Sequence, residues 1–417
     1  FDDHLSRTRY RNLLREARTE LDKRDLLARE QQLQDTLRAA LTMPAGDSAR
    51  DLNGTRVLGF RLLKRLVTDS STQNLAISPV GVEMCLAIAA NGAAGKTQAE
   101  IAGLLGTSVT ALDAVNEANA AMLVTLAGSS GPAELTIANS IWGRKELVFA
   151  RPFLDVCSRN YSASARTLDF ASPIAIQEIN GWVARKTHGL IRTIIGSIKA
   201  EDVALMLSAV HFRCRWAMPF DPRRTSASPF HLADGSRVER QMMWRNGNFG
   251  YLATDSFSAV ALPFVHDRFW LYVFVPSAAN GLPGFVKRLG DDNWQTWMSG
   301  FRTELVYLGL PRFRLEYEAN LKASLTALGM TTAFDSARAD FTPMVAKSPL
   351  QPVWLSDALH KVFIEVNEEG AQAAAASGFG IAGIPDEVVV DRPFFFAITD
   401  TWSGAILFMG VVYDPPQ

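Results

Sequence analysis

The sequence predicts an α+β fold with large antiparallel sheets. Three observations carry that prediction. Between about residue 50 and residue 200, apolar residues recur mainly at helical spacing. After residue 200, branched and aromatic runs bounded by turn residues dominate. No regular alternation of strand and helix joins the halves, which excludes a doubly wound parallel sheet. A chain of 417 residues with 48% hydrophobic residues can bury one large core or two modest ones. The formal charge of -1 argues against a dedicated binder of nucleic acid or of anionic membrane surfaces. There is no apolar run of about 18 residues, so no membrane-spanning helix is expected.

The elements follow in chain order. Residues 1–42 are dense in Arg, Glu, Asp and Leu and contain neither proline nor glycine. Tyr10, Leu13, Leu14, Ala17 and Leu21 recur at helical spacing, and Leu26, Leu33, Leu37 and Leu41 continue the stripe with a shift of phase. This pattern predicts one long amphipathic helix or a helical pair, docked on the body, on itself or on a helical partner. Met43–Ser48 has linker composition, so residues 1–48 form a helical extension and residues 49–417 the main domain. The start at Phe1 rather than Met suggests a processed chain, and a secreted or extracytoplasmic setting is the expectation.

Asn74–Pro79 ends one helix and starts the next, with Ser78 as cap and Pro79 in the first turn. Gly92–Gly95 with Thr97 breaks the chain again before a helix at Gln98–Leu105. Leu135–Trp142 has strand composition, and Ile174–Lys186 returns to helical spacing. Strands are then predicted at Val203–Trp216, Ala259–Val265, Phe269–Val275, Glu304–Leu308, Val388–Ile398 and Ala405–Val412. Short helices interrupt them at Trp294–Trp297 and Leu321–Leu328. The three cysteines, Cys85, Cys157 and Cys214, are odd in number and far apart. They give neither a disulfide framework nor zinc-ligand spacing, so free thiols and no metal are expected.

One segment combines features that a single conformation does not explain. A strand-like run ends at Asn367. Glu368, Glu369 and Gly370 follow, then small residues through Ser377, then a loose mixture of Gly, Ala and Ile before the next strand. An alanine run alone suits a helix or a linker. Its place between two strands instead suits a segment that is exposed in one state and enters a sheet in another. As a strand it would put Ala371, Ala373, Ala375 and Ser377 on one face, all of them small. A charge in that set would be forced into the core at several kcal/mol, on the order of 2–7 if left unpaired. Gly370 supplies the pivot.

Val366-Asn367-Glu368-Glu369-Gly370 followed by Ala373-Ala374-Ala375-Ala376 resembles the hinge of inhibitory serpins. Val388–Ile398 with Gly404–Val412 resembles the C-terminal signature of that family, and Asn74–Val80 with Gly95-Lys96-Thr97 its first block. Asn139–Trp142, Ile179–Val183 with Thr187, Trp216–Thr225, Leu310–Phe313, Leu328–Met330 and Ala333-Phe334 are similar to further blocks. The resemblance runs in order over about residues 50–415.

The resemblance implies a serpin-like fold with three β-sheets and about nine helices, metastable, with a reactive-centre loop at about residues 368–390. It also implies a suicide-type protease inhibitor rather than an enzyme. The target would be held as a covalent 1:1 acyl-enzyme while the cleaved loop inserts into the central sheet, an established case of strand addition. Glu368, Glu369, Gly370, Ala371 and Ala373–Ala376 (Ala373, Ala374, Ala375 and Ala376) match the hinge. Ser78 and His360 match the polar cluster that controls sheet opening. There the family often has Asn where Ser208 stands and Ser where Gly81 stands, which leaves His360 fewer partners. Arg312 and Glu368 match an ion pair at the top of the sheet near Trp216. Counting from the hinge places Ile384 before the scissile bond, but Pro385 would then follow it, and proline is a poor leaving-side residue. The window is therefore Ile381, Ala382, Gly383 and Ile384, with the cut favoured after Ala382.

Such residues suit an elastase-like serine protease. A papain-like cysteine protease is the second choice, and without Arg or Lys in the window trypsin-like targets are not expected. Thr107–Ala127 lacks the basic helix of heparin-binding relatives, so no cofactor is expected, and the protein is expected to be a monomer. A non-inhibitory serpin acting as carrier, chaperone or storage protein is the alternative. An enzyme is disfavoured because no Gly-x-Ser-x-Gly, His-Glu-x-x-His or phosphate-loop motif occurs.

Overall fold

The computed structural model describes residues 49–68, 72–127, 133–278, 281–347, 352–369 and 386–416. The N-terminal extension, Gly370, Ala371, Ala373–Ala376 and the window Ile381–Ile384 lie outside the described residues. Among the described residues there are nine α-helices: α1 (Ala49–Leu66), α2 (Pro79–Gly92), α3 (Gly95–Leu104), α4 (Leu112–Ala127), α5 (Arg151–Tyr161), α6 (Ile174–Lys186), α7 (Leu282–Arg288), α8 (Asp291–Gly300) and α9 (Lys322–Ala327). The expected helices at Ile174–Lys186, Trp294–Trp297 and Leu321–Leu328 are present. The helix expected from Gln98 begins earlier, at Gly95, whose positive φ of 53° suits a residue without a Cβ.

The central sheet has five strands in the order β11 (Phe313–Asn320), β13 (Leu355–Val366), β5 (Ala204–Cys214), β2 (Ala133–Arg144), β4 (Ser164–Leu168). A second, nine-stranded sheet has two halves joined by the long strand β7 (Arg237–Ala253). One half runs β1 (Leu75–Ile77), β16 (Ile406–Val412), β15 (Phe394–Asp400), β9 (Phe269–Pro276), β8 (Phe257–Pro263). The other comprises β6 (Thr225–His231), β10 (Arg302–Pro311) and β14 (Asp386–Val389) around β7. The three expected sheets are thus the central sheet and these two halves. A short ribbon pairs β3 (Val148–Phe149) with β12 (Val345–Lys347).

One expectation needs correction. Val388–Ile398 is not one strand but two. Val390–Pro393 breaks it, with Pro393 offering no N–H to a ladder. β14 pairs parallel with β10, whereas β15 lies between β9 and β16 in the other half of the sheet.

The central sheet is buried on both faces. On one, Ile141, Met206, Val210, Phe212, Val362 and Ile364 join the main core. That core includes α2, which is apolar on every side and buried along nearly its whole length. On the other face α6 lies across the strands. Ala175, Ile179, Trp182 and Val183 pack on Ala138, Trp142, Leu205, Leu207, Ala209 and Phe363, with Trp142 and Trp182 edge to face at 5.9 Å.

Candidate functional site: the seam between two parallel strands

β13 and β5 are hydrogen-bonded neighbours and run parallel, while β11–β13 and β5–β2 are antiparallel. Parallel pairing is slightly weaker per residue than antiparallel pairing. A strand entering this seam from the top of β13 would run antiparallel to both walls. Two groups of polar residues sit along the seam, one at its top and one midway.

At the top, the side chain of Trp216 stacks on Phe264 at 4.5 Å and 7° and meets Phe220 edge-on at 5.9 Å. Its indole N–H donates to the Asn367 carbonyl at 2.6 Å, and its backbone N–H to the Glu369 carbonyl at 3.2 Å. Glu368 accepts from the Thr225 hydroxyl at 2.6 Å and faces Arg312 Nε at 3.4 Å. Arg213, at the end of β5, reaches Glu369 at 3.2 Å and Glu365 at 4.0 Å, so it crosses the seam from β5 to β13. The structure therefore brings Trp216, Arg312 and Glu368 together, and Glu369, matched above to the hinge, lies beside them. Arg213, Thr225 and Asn367 join them, although none of the three is assigned to this cluster from the sequence. Arg213 was legible in principle, because alternation along β5 puts it next after His211 on the same face, at the exposed end of the strand beside the acidic end of β13.

Midway down, Asn139, Ser208 and His360 lie in one row across β2, β5 and β13. Ser78 caps α2, its side chain accepting from the Gly81 N–H at 3.2 Å, and its own backbone N–H donates to His360 Nε2 at 3.0 Å. That bond places the imidazole proton on Nδ1. Nδ1 makes no well-formed hydrogen bond, and neither do Ser208 Oγ or the Asn139 amide. Burial holds the His360 imidazole down at about 4, with the Ser208 backbone opposing the shift. Ser78, Ser208 and His360 are thus together as expected, and Asn139 completes the row.

The structure also explains the departure at Gly81. A Cβ there would lie 2.5 Å from Val210 Cγ2 and 2.9 Å from Ser208 Oγ. Helix α2 approaches β5 too closely for a serine side chain.

Below the helix-facing side of the seam, Lys361 is buried between Glu316 and Glu318, each at 3.0 Å. Burial opposes its charge, but the two carboxylates outweigh burial and raise the ammonium above its ordinary value. Cys85 and Cys157 are buried and Cys214 half-buried, all as free thiols. Burial pushes Cys157 and Cys214 up to about 12, so neither is a ready nucleophile. Among the described residues no group of three or more His, Cys, Asp or Glu is placed to hold a metal ion, and no helix is long and apolar enough to cross a membrane.

Comparison with known proteins agrees with this architecture. The chain is 31% identical to leukocyte elastase inhibitor of Xenopus laevis over 375 residues, covering 85% of this chain and 97% of that protein. It superimposes on AtSerpin1 of Arabidopsis, solved in a native stressed conformation, with a TM-score of 0.80 and 28% identity, covering 89% of this chain and 100% of that one. Human thyroxine-binding globulin shares the fold at a TM-score of 0.80 and 24% identity, covering 88% of this chain and 99% of that one. The family profile described as Serpin (serine protease inhibitor) matches residues 53–415, and the chain belongs to the serpin family.

Proposed function

We propose that this serpin is a single-use protease inhibitor that traps an elastase-like serine protease. The observation that carries the reading is the direct parallel pairing of β13 with β5, with Gly370 following soon after β13 in sequence and then Ala371–Ser377. As a strand, Ala371, Ala373, Ala375 and Ser377 would share one face and Gln372 would fall on the other. The chain that leaves the top of β13 can turn back between its own strand and β5, and nothing large or charged on its inward face obstructs it.

The chemistry belongs to the protease. Its serine oxygen attacks the carbonyl carbon of the residue before the scissile bond, favoured as Ala382, and gives its proton to the protease's base. The C–N bond breaks, and the leaving nitrogen takes that proton and becomes a new amine terminus. The ester that remains joins the two proteins. Severing the loop frees the hinge to insert, and the attached protease is carried away from the geometry that admits water. This chain needs no catalytic group of its own. It acts as a substrate whose product is held. The native form is kept by a barrier rather than by its equilibrium stability.

Mixing with elastase tests the reading. A 1:1 adduct that survives denaturing electrophoresis is expected, and the mass of the C-terminal peptide freed on denaturation locates the bond within Ile381–Ile384. Adducts formed only with papain-like proteases would move the target class. Cleavage without adduct across both classes would leave a non-inhibitory serpin with a carrier, chaperone or storage role.

A further inference from the structure

We propose that His211 and His188 form an acid-sensitive latch that holds α6 and the turn after it onto the central sheet, so that protonation loosens the cover over the seam. Along β5, the residues facing α6 are Leu205, Leu207, Ala209 and then His211. The first three belong to the apolar layer under the helix. His211 is fully buried beside it, and neither ring nitrogen has a hydrogen-bond partner among the described residues. Buried imidazoles ordinarily satisfy at least one nitrogen, so this one calls for an explanation.

The explanation lies in the turn above it. Helix α6 ends at Lys186. The Thr187 hydroxyl accepts from the Ile191 N–H at 3.1 Å and donates to the Val183 carbonyl at 2.9 Å, tying the returning chain to the helix. His188 and Gly189 then take positive φ values of 50° and 81°. Left-handed backbone at a histidine is uncommon. It brings the His188 ring to 6.1 Å from the His211 ring, centroid to centroid. His188 is exposed while His211 is sealed beneath it, so the pair spans the boundary between cover and sheet.

The surrounding charges do not favour a proton on His211. On its own strand the next residue on this face is Arg213. On β13 the neighbours of its partner Phe363 are Lys361 and Glu365. Glu365 faces Arg213, and on β11 Glu316 faces Lys361, while Arg314 lies over the Phe363 ring at 4.9 Å. On β2 the exposed Glu134 pairs in register with Arg213. From above come His188 and the last-turn residues Arg185 and Lys186. The carboxylates are beside cations, and a new positive charge would meet Arg213, Lys361 and His188. Burial, with His188 adding to it, holds His211 at about 4, below its ordinary 6.5. Opening the cover returns the ring to water and to its ordinary value, so between these two values each opening takes up about one proton. Opening is therefore favoured by up to about tenfold per pH unit, on the order of 30-fold in all between pH 7.5 and pH 5.

The consequence for loop insertion rests on the inhibitory reading above, but the latch itself can be measured without it. Hydrogen exchange of the amides of α6 and residues 187–195 in the full chain should rise by roughly 30-fold from pH 7.5 to pH 5, after correction for intrinsic exchange. In His211→Phe, which keeps the ring volume and removes the proton site, that rise should vanish while exchange at pH 7.5 stays near the wild-type rate. His188→Asn, which tolerates left-handed backbone, should retain the rise in reduced form and serves as the second variant if His211→Phe fails to fold. Spontaneous conversion to a heat-resistant form should follow the same pH dependence. A wild-type cover whose exchange ignores pH would overturn the latch, and so would an acid response undiminished in both variants. Either result would leave protease trapping to be judged by adduct formation alone.

Discussion

The two ends of the seam between β5 and β13 are held in opposite ways. At the top, every polar group named has a partner: the Trp216 indole, both carbonyls it secures, Glu368 between Thr225 and Arg312, and Glu369 against Arg213. Midway, four buried polar atoms in the row Asn139–Ser208–His360 have no protein partner. Each such atom costs about 1–3 kcal/mol unless water reaches it. The top is a clasp of individually weak, partly buried bonds around Trp216, with the Arg213–Glu369 pair at its exposed rim, and it can be undone without burying a charge. The middle is a stretch of sheet where the native pairing satisfies its polar groups poorly. A fold held shut at its rim and ill satisfied within is suited to release rather than to rest.

The strongest way to break this comparison is to block entry into the seam. Ala371→Arg would force a charge into the inserting strand, and at least a tenfold rise in the ratio of cleaved chain to adduct is expected with elastase. An unchanged ratio on denaturing gels would mean that insertion does not pass the middle row. Acid comes next. His360 and His211 are both held at about 4. Above 6.5 both the native and the unfolded chain keep these rings neutral, and the stability they allow is fully present. As pH falls from 6.5 toward 4 the unfolded chain takes up protons that the native chain does not, so stability is lost by about 2 kcal/mol per histidine at pH 5. Thermal unfolding at pH 7.5 and pH 5 measures the loss, and His360→Gln should remove the share of the middle row.

A smaller effect sharpens the same point. Gly81→Ser adds the hydroxyl that relatives often carry, yet here it meets Val210, so a loss of about 1–3 kcal/mol is expected. Val210→Ala should recover part of it in the double variant, as read from denaturant midpoints. Opening the clasp should cost least. Arg312→Ala removes a pair whose arginine is half exposed, worth about 0–1 kcal/mol at equilibrium. Its signature is kinetic, a faster spontaneous loss of the proposed adduct-forming ability that grows with salt in the wild type but not in the variant.

Much of this was legible in the sequence, and for identifiable reasons. The helical spacing of Ile174–Lys186 and the cap at Ser78-Pro79 are local signals, and both elements stand where those signals put them. Ser78, Ser208 and His360 were grouped through family resemblance, because nothing local brings three residues so distant in sequence together. Asn139 is the member that residue-by-residue reading passed over, although an amide beside Ser140 in the apolar middle of the strand, between Ile137 and Ile141, was a usable sign. The break at Val390–Pro393 was hidden by apolar residues on both sides, which made two strands look like one. β7 was missed for the opposite reason: its 17 residues carry Arg, Glu, Gln and Asn, since parts of it face solvent and its pairing rather than its composition makes it a strand. The crowding at Gly81 depends on how closely a helix approaches a sheet, which no single-chain pattern encodes.

The order of strands in the larger sheet bears on biosynthesis. β15 and β16 come from the last few dozen residues, yet they lie inside the sheet, with β16 between β1 and β15 and β15 between β16 and β9. β1 forms near the beginning of the domain and has no other neighbour in the sheet. A nascent chain therefore cannot close this half of the molecule until β15 and β16 have been made, and β1 must wait with its apolar residues unpaired. The strain on which the proposed trapping would draw is therefore set late, in a step that a chaperone is well placed to supervise.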